Sequence, residues 1–156
     1  MDVKIEKLPE YRIAYMRRIG PYGSDNFQIM QNLKKLAITR NLFNESSIIL
    51  GIAHDVPEIT LPEKCRYDAC IVLPDNYEVG SDINNGRLPG GKYAMLRVDH
   101  TSEAIGKAWN DIFSVWLPDS GYQIDNRPAF ERYIGSSRDV KMEPDFCDIC
   151  IPVKLL

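Results

Sequence analysis

The chain repeats itself at an offset of eighty residues. Laying Ile13–Arg18 on Tyr93–Val98 brings Ala14 onto Ala94 and Arg17 onto Arg97. The same offset lays Tyr67–Leu73 on Cys147–Val153, matching Asp68 with Asp148, Cys70 with Cys150 and Ile71 with Ile151. Five of these thirteen paired positions are identical, with no gap between two distant segments. A duplication of this kind predicts one domain, 1–156, built from two halves of about 1–74 and 92–156. A pseudo-twofold axis relating the halves implies a central cleft, and clefts take small molecules. The 156-residue length suits one domain, and 44% hydrophobic residues suffice for a core.

Each half reads as strand, helix, strand, strand. In the first, Tyr11–Ile19 is the opening strand, with Val3–Leu8 as an extra edge piece. Gly20-Pro21-Tyr22-Gly23 ends it, and Ser24 is placed to cap a helix running to about Arg40. Ile29, Met30, Leu33, Leu36 and Ala37 fall on one face of that helix. Ser47–His54 and Tyr67–Leu73 are the next strands. Asp55–Lys64 between them, with Pro57 and Pro62, reads as a loop. Asp75–Gly91 joins the halves, and Asn84-Asn85-Gly86 within it is turn chemistry. The second half opens with Lys92–Asp99. Thr101 caps a helix near 101–117, with Glu103 near its positive end. Its stripe is Ile105, Ala108, Trp109, Ile112, Phe113, Trp116 and Leu117, and Pro118 terminates it. Pro128–Ile134 and Phe146–Val153 are the last strands, with Asp139–Pro144 as the turn between them. The fold class is α+β, an antiparallel sheet with two helices packed on it.

Most reaction classes find no support. No run of eighteen apolar residues spans a membrane, and the first six residues lack the apolar core of a signal peptide. The expected location is cytoplasmic. A net charge of -3 and a pI near 5.4 lack the basic footprint of a nucleic-acid binder. Cys147 and Cys150 have a zinc-like spacing, but on a strand residues three apart point to opposite faces. All four cysteines are therefore expected to be buried thiols, with no metal or cofactor. His54 and His100 sit at strand ends, outside any motif. No nucleophile elbow, phosphate loop or zinc-binding helix is present.

Phe130-Glu131-Arg132-Tyr133-Ile134 stands out. Strand parity puts Glu131 and Tyr133 on one face with Ala129, and Phe130, Arg132 and Ile134 on the other. Two readings stand on the residues alone. In one, Glu131 is solvated on an edge strand and paired with Arg132 or a cross-strand partner. In the other it sits at the bottom of a cleft, because its repeat mate, Gly51, has no side chain. Aromatics suit the second reading. Trp109, Phe113, Tyr133, Tyr67 and Tyr22 are candidate walls, and a carboxylate ringed by aromatic faces attracts an organic cation.

The chain resembles the GyrI-like, or SbmC-like, proteins, whose domain is shared with the C-termini of some AraC- and MerR-type regulators. The resemblance spans the chain. It runs through Arg18-Ile19-Gly20-Pro21-Tyr22, Cys65-Arg66-Tyr67-Asp68-Ala69 and Pro89-Gly90-Gly91-Lys92-Tyr93-Ala94. It continues through Ala108-Trp109, Trp116-Leu117-Pro118-Asp119-Ser120-Gly121-Tyr122, Pro128-Ala129-Phe130-Glu131-Arg132-Tyr133 and Ile149-Cys150-Ile151-Pro152-Val153-Lys154. It implies a duplicated fold with a cleft that binds small organic molecules, often lipophilic cations, as in multidrug binding. Glu131 and Trp109 match the family's pocket glutamate and tryptophan. Other members bind DNA gyrase, and some hydrolyse cyclopropane-bearing natural products, for which Glu131 is the matching residue. The regulators also carry a helix-turn-helix module, which these anchors do not include, so the chain is not expected to act as a DNA-binding regulator of that kind. The expected partner is a small organic ligand, with DNA gyrase as the alternative and no direct nucleic-acid or membrane binding.

Overall fold

The computed structural model describes residues 1–44, 46–55, 59–134 and 145–156, with Ile134 by its backbone alone. Pro57 and the turn expected at Asp139–Pro144 lie outside the described residues. Contacts divide the chain into two compact units, Tyr11–Leu88 and Met1–Glu10 with Pro89–Leu156. The chain thus enters the second unit, leaves it after ten residues, and returns.

The 11–88 unit contains β2 (Tyr11–Ile19), α1 (Ser24–Thr39), β3 (Ile49–Ala53), β4 (Arg66–Val72) and β5 (Asn84–Leu88). Its strands pair antiparallel in the order β3-β4-β2-β5, and α1 lies on β2 and β4. Met30, Leu33 and Ala37 of α1 are buried, as are Ala14, Ala69 and Ile71 of the sheet. The other unit contains β1 (Lys4–Leu8), β6 (Gly91–Asp99), α2 (Ser102–Asp111), β7 (Tyr122–Ile124), β8 (Phe130–Ile134) and β9 (Phe146–Leu155). Its order is β8-β9-β6-β1, again antiparallel, with β7 paired to the C-terminal end of β9. Ala108 and Ile112 meet Ala94, Leu96, Cys147, Ile149 and Ile151 in one apolar cluster. The α+β class with helices on antiparallel sheet is thus observed. Among the described residues no helix is long and apolar enough to cross a membrane.

The repeat extends to register. Arg17 lies opposite Asp68, and Arg97 opposite Asp148. Leu50 lies opposite Cys70, and Phe130 opposite Cys150. Every pair shifts by eighty. The outermost strands obey the same rule with an exchange. Leu8 of β1 faces Gly91, and Leu88 of β5 faces Tyr11. Each repeat therefore sends its first strand into the unit formed mainly by the other. The turns that make the exchange, Leu8-Pro9 and Leu88-Pro89, are a further match at the same offset. A Cβ on Gly90 would meet the Leu8 carbonyl oxygen, the Pro9 carbonyl carbon and the Glu10 nitrogen at 2.6 Å, so only glycine fits there.

Some local expectations are corrected. Asn84-Asn85-Gly86 is not a turn but the start of β5. Pairing to β2 along an exposed edge overrides the weak strand propensity of these residues. Ser24 is the first helical residue, and Gly23 takes the N-cap without a side-chain bond. Arg18 instead reaches Asn26 and Asp25 in the first turn of α1. Thr101 does cap α2, accepting from the Ala104 N–H at 3.1 Å. The second helix does not run as one α-helix to 117. After Asp111 come a π turn, Ile112–Trp116, and a 3-10 turn, Leu117–Asp119. Ser114 Oγ donates to the Asn110 carbonyl, and Pro118 supplies no N–H to the ladder, two features that disturb α geometry.

In each unit an ion pair on a buried aspartate locks two neighbouring strands. Arg17 donates through Nε and NH2 to Asp68 at 2.7 and 2.8 Å, and His54 Nε2 lies 2.6 Å from the same carboxylate. Arg97 and Arg132 both donate to Asp148. Burial opposes ionisation of Asp148, but the hydrogen bonds from Arg97 and Arg132 outweigh it and hold its pKa below the ordinary value. Asp68 is held low in the same way by Arg17 and His54.

Two outcomes follow for stability. Gly90→Ala has to displace the backbone of residues 8–10, and is expected to cost more than about 2 kcal/mol in denaturant melts. Asp148→Asn strands two guanidinium groups and is expected to cost about 2–4 kcal/mol at neutral pH. A carboxylate with a lowered folded pKa stabilises above its unfolded value of about 3.9 and loses that contribution as pH falls through the folded pKa. The gap between wild type and Asp148→Asn should therefore narrow on acidification below about pH 4.

Candidate functional site

Glu131 lies on β8 opposite Ile149, on the face that carries α2. Arg132, its neighbour in sequence, points to the other face and binds Asp148 at 2.9 Å. The pairing of Glu131 with Arg132 allowed by the sequence is thus not made. The carboxylate is half-buried, and its partners come from three elements. Tyr133 Oη donates to Oε1 at 3.4 Å, and Cys147 Sγ on β9 sits 3.9 Å from the same oxygen. The Trp109 side chain on α2 favours the ionised carboxylate. Burial raises the Glu131 pKa, and the bonds from Trp109, Tyr133 and Cys147 only partly oppose this. Burial also pushes the Cys147 thiol well above its usual value, so it stays protonated.

Every described partner of Glu131 is a neutral donor. The contrast with Asp68 and Asp148, each bound by arginine, is chemical. Glu131 is a half-buried carboxylate with no described counter-cation, in a setting where such a charge is costly.

Aromatic rings stand beside it. Phe113 stacks on Trp109 at 6.2 Å with planes 10° apart. Phe113 lies on the π turn and remains 41% exposed, although the helical stripe includes it. π turns inserted in helices recur at functional sites because they re-aim side chains. The His100 ring meets Tyr133 edge-on at 5.4 Å.

The structure thus brings together Glu131, Trp109, Phe113 and Tyr133 within one unit. Tyr22 and Tyr67 belong to the 11–88 unit. Tyr22 Oη donates to the Arg66 carbonyl at 2.8 Å and accepts from the Asp55 N–H at 3.1 Å, tying the turn before α1 to β4. Tyr67 is buried on β4. Sequence reasoning missed Cys147 and His100. Cys147 faces Tyr133 across the β8–β9 pair, so register alone places it near Glu131. All four cysteines are buried free thiols, with Cys147 and Cys150 on opposite faces of β9. Among the described residues no three His, Cys, Asp or Glu side chains are grouped to hold a metal ion.

The model of the GyrI-like small molecule binding domain matches residues 1–154. The chain is 39% identical over 155 residues to YosT of Bacillus subtilis strain 168, covering 99% of this chain and all of that one. YosT is an SPbeta prophage protein whose name places it provisionally among transcriptional regulators. A DNA gyrase inhibitor of Erwinia billingiae is 28% identical over 137 residues, 86% of each chain. Among solved structures, the C-terminal domain of EcmrR is similar with a TM-score of 0.77 at 15% identity, covering 99% of this chain and 98% of that one. SAV2435 bound to tetraphenylphosphonium has a TM-score of 0.62 at 17% identity, covering 99% and 94%. At these identities the two structures establish likeness of fold. The family model spans nearly the whole chain, and the protein is a member of the GyrI-like small-molecule binding domain family.

Proposed function

We propose that the protein binds a lipophilic, aromatic organic cation, with Glu131 as its counter-charge and Trp109, Phe113 and Tyr133 as its aromatic surroundings. The observation that supports this reading is the carboxylate whose partners, among the described residues, are all neutral donors. A ligand cation replaces the missing counter-charge, and the ring faces add about 0.5–2 kcal/mol per cation–π contact. Support by similarity comes from SAV2435, a neighbour in fold bound to a lipophilic phosphonium cation. Tyr22 and Tyr67, the other aromatic candidates of the sequence, belong to the 11–88 unit and rest on the sequence reading alone.

A second reading is modulation of DNA gyrase, supported by the relatives named as gyrase inhibitors. Capture of purified gyrase by the protein, unaffected by Glu131→Gln, supports that reading. A third is hydrolysis of a strained cyclopropane compound with Glu131 as acid or base. Loss of such a compound over time, followed by NMR, would replace pure binding with turnover.

The test of the first reading is calorimetric titration with tetraphenylphosphonium and with neutral tetraphenylmethane-type analogues of matched shape. Glu131→Gln is expected to weaken the cation by about 1–3 kcal/mol and to leave the neutral analogue nearly unchanged. Equal losses for both would remove Glu131 from the role. Cation affinity should rise with pH through the Glu131 pKa and level off above it, because ionisation creates the counter-charge.

Stability gives an independent check. A carboxyl whose folded pKa is raised stabilises fully below its unfolded pKa and loses that contribution as pH rises through the folded value. Without ligand, Glu131→Gln should be at least as stable as wild type at neutral pH, with the difference closing near pH 4. Destabilisation at neutral pH would show that the charge supports the fold instead.

A further inference from the structure

β1 is an outermost strand of its unit, and among the described strands it pairs with β6 alone. Such a strand presents a row of backbone N–H and C=O groups to any further strand that can lie beside it. Lys4, Glu6 and Lys7 of β1 are exposed, Ile5 is half-buried and Leu8 is buried. Ile5 lies opposite Ala94 and packs with Val3 against the apolar cluster of α2. Lys4 and Glu6, opposite Met95 and Tyr93, therefore stand together on the other face.

The order of charges along β1 restricts what can pair with it. A second copy added about a twofold axis sets β1 against β1, antiparallel. Direct neighbours across an antiparallel pair share a face, so the axis has to pass through a residue and not between two. An axis at Lys4, Glu6 or Lys7 opposes that residue to its own charge in the other copy. An axis at Leu8 opposes Glu6 to Glu10. Only the axis at Ile5 is free of directly opposed like charges. It sets Lys4 of each copy against Glu6 of the other, two opposite-charge pairs from one contact. On the α2 face it sets Ile5 against Ile5, which carries each apolar cluster on into the other copy.

The second repeat lacks this pattern. The repeat mates of Lys4 and Glu6 are Asn84 and Gly86 of β5. Arg87 is the one charged residue of β5, so no register of β5 on itself brings opposite charges together. The self-complementary charges belong to one outer strand and not to the duplicated fold in general.

We infer that β1 is a docking edge for β1 of a second copy of this chain, in the register centred on Ile5. Lysine on an outer strand ordinarily wards off foreign strands, and here the same charges accept the chain's own copy. The ladder is short, so the dimer is weak and depends on concentration. Its residues are distinct from Glu131, Trp109, Phe113 and Tyr133, and the inference stands or falls apart from the function proposed above.

The test is sedimentation velocity of the full chain from about 10 μM to about 1 mM, at low and at high salt. The chain should pass from monomer to dimer as concentration rises, and salt should weaken the dimer. Symmetry makes each single charge reversal count twice. Lys4→Glu and Glu6→Lys should each weaken association at least about tenfold, since each opposes like charges at both pairs. The two variants mixed in equal amounts should form a mixed dimer, because each presents the charges the other needs. Lys4→Glu combined with Glu6→Lys in one chain exchanges the pair and should regain wild-type association. Three results would overturn the inference. One is a chain that stays monomeric at about 1 mM, which would leave this edge to a strand of another protein. Another is a dimer unchanged in both single variants, which would place the contact on a different face. The third is failure of both the mixture and the double variant to restore association.

Discussion

Two buried aspartates, each gripped by an arginine across a strand pair, hold this molecule in register. Arg17 with Asp68, and Arg97 with Asp148, sit on the central strands of their units. A slip of one residue would carry each aspartate to the apolar helix face, where no arginine waits and a charge is costly. It would also carry Ile149 and Ile151 out of the cluster with Ala108 and Ile112. The ion pairs contribute by penalising wrong pairings more than by adding net stability, since burying charge consumes most of the attraction.

Register in turn decides what Glu131 becomes. With Arg132 drawn to Asp148 on one face, Glu131 is left on the other among neutral donors. The arginine that had to neutralise a buried acid chose the aspartate, two residues from Cys150, over its own neighbour. Asp68 and Asp148 are satisfied by arginine within the protein, whereas the described partners of Glu131 are neutral. The binding function proposed here grows out of that division of labour between two faces of one strand.

The exchange of first strands couples the repeats along the chain. Because β1 completes the unit of 89–156 and β5 completes that of 11–88, neither unit is assembled from one repeat alone. The crossing demands a glycine at 90, since backbone meets backbone there. Its repeat mate is Glu10, so the duplicated turns have diverged at the point of contact.

Much of this was legible in one sequence, because duplication and periodicity are written in side chains. The eighty-residue offset, the strand at Tyr11–Ile19, the cap at Thr101, the burial of the cysteines and the parity of Glu131 against Arg132 all follow from residue types and spacing. The tertiary structure decided what depends on pairing between distant segments. It turned Asn84-Asn85-Gly86 into an edge strand, since an unpaired β2 offers backbone bonds that outweigh local turn preference. It converted the end of the second helix into a π turn and left Phe113 exposed. It placed Cys147 against Glu131 and two arginines on one aspartate, because such neighbours are set by register and no local pattern encodes them. The sequence by itself determined which residues face which side of each strand. Only the folded chain decided which of its acids found a cation, because charge compensation is a property of space and not of order along the chain.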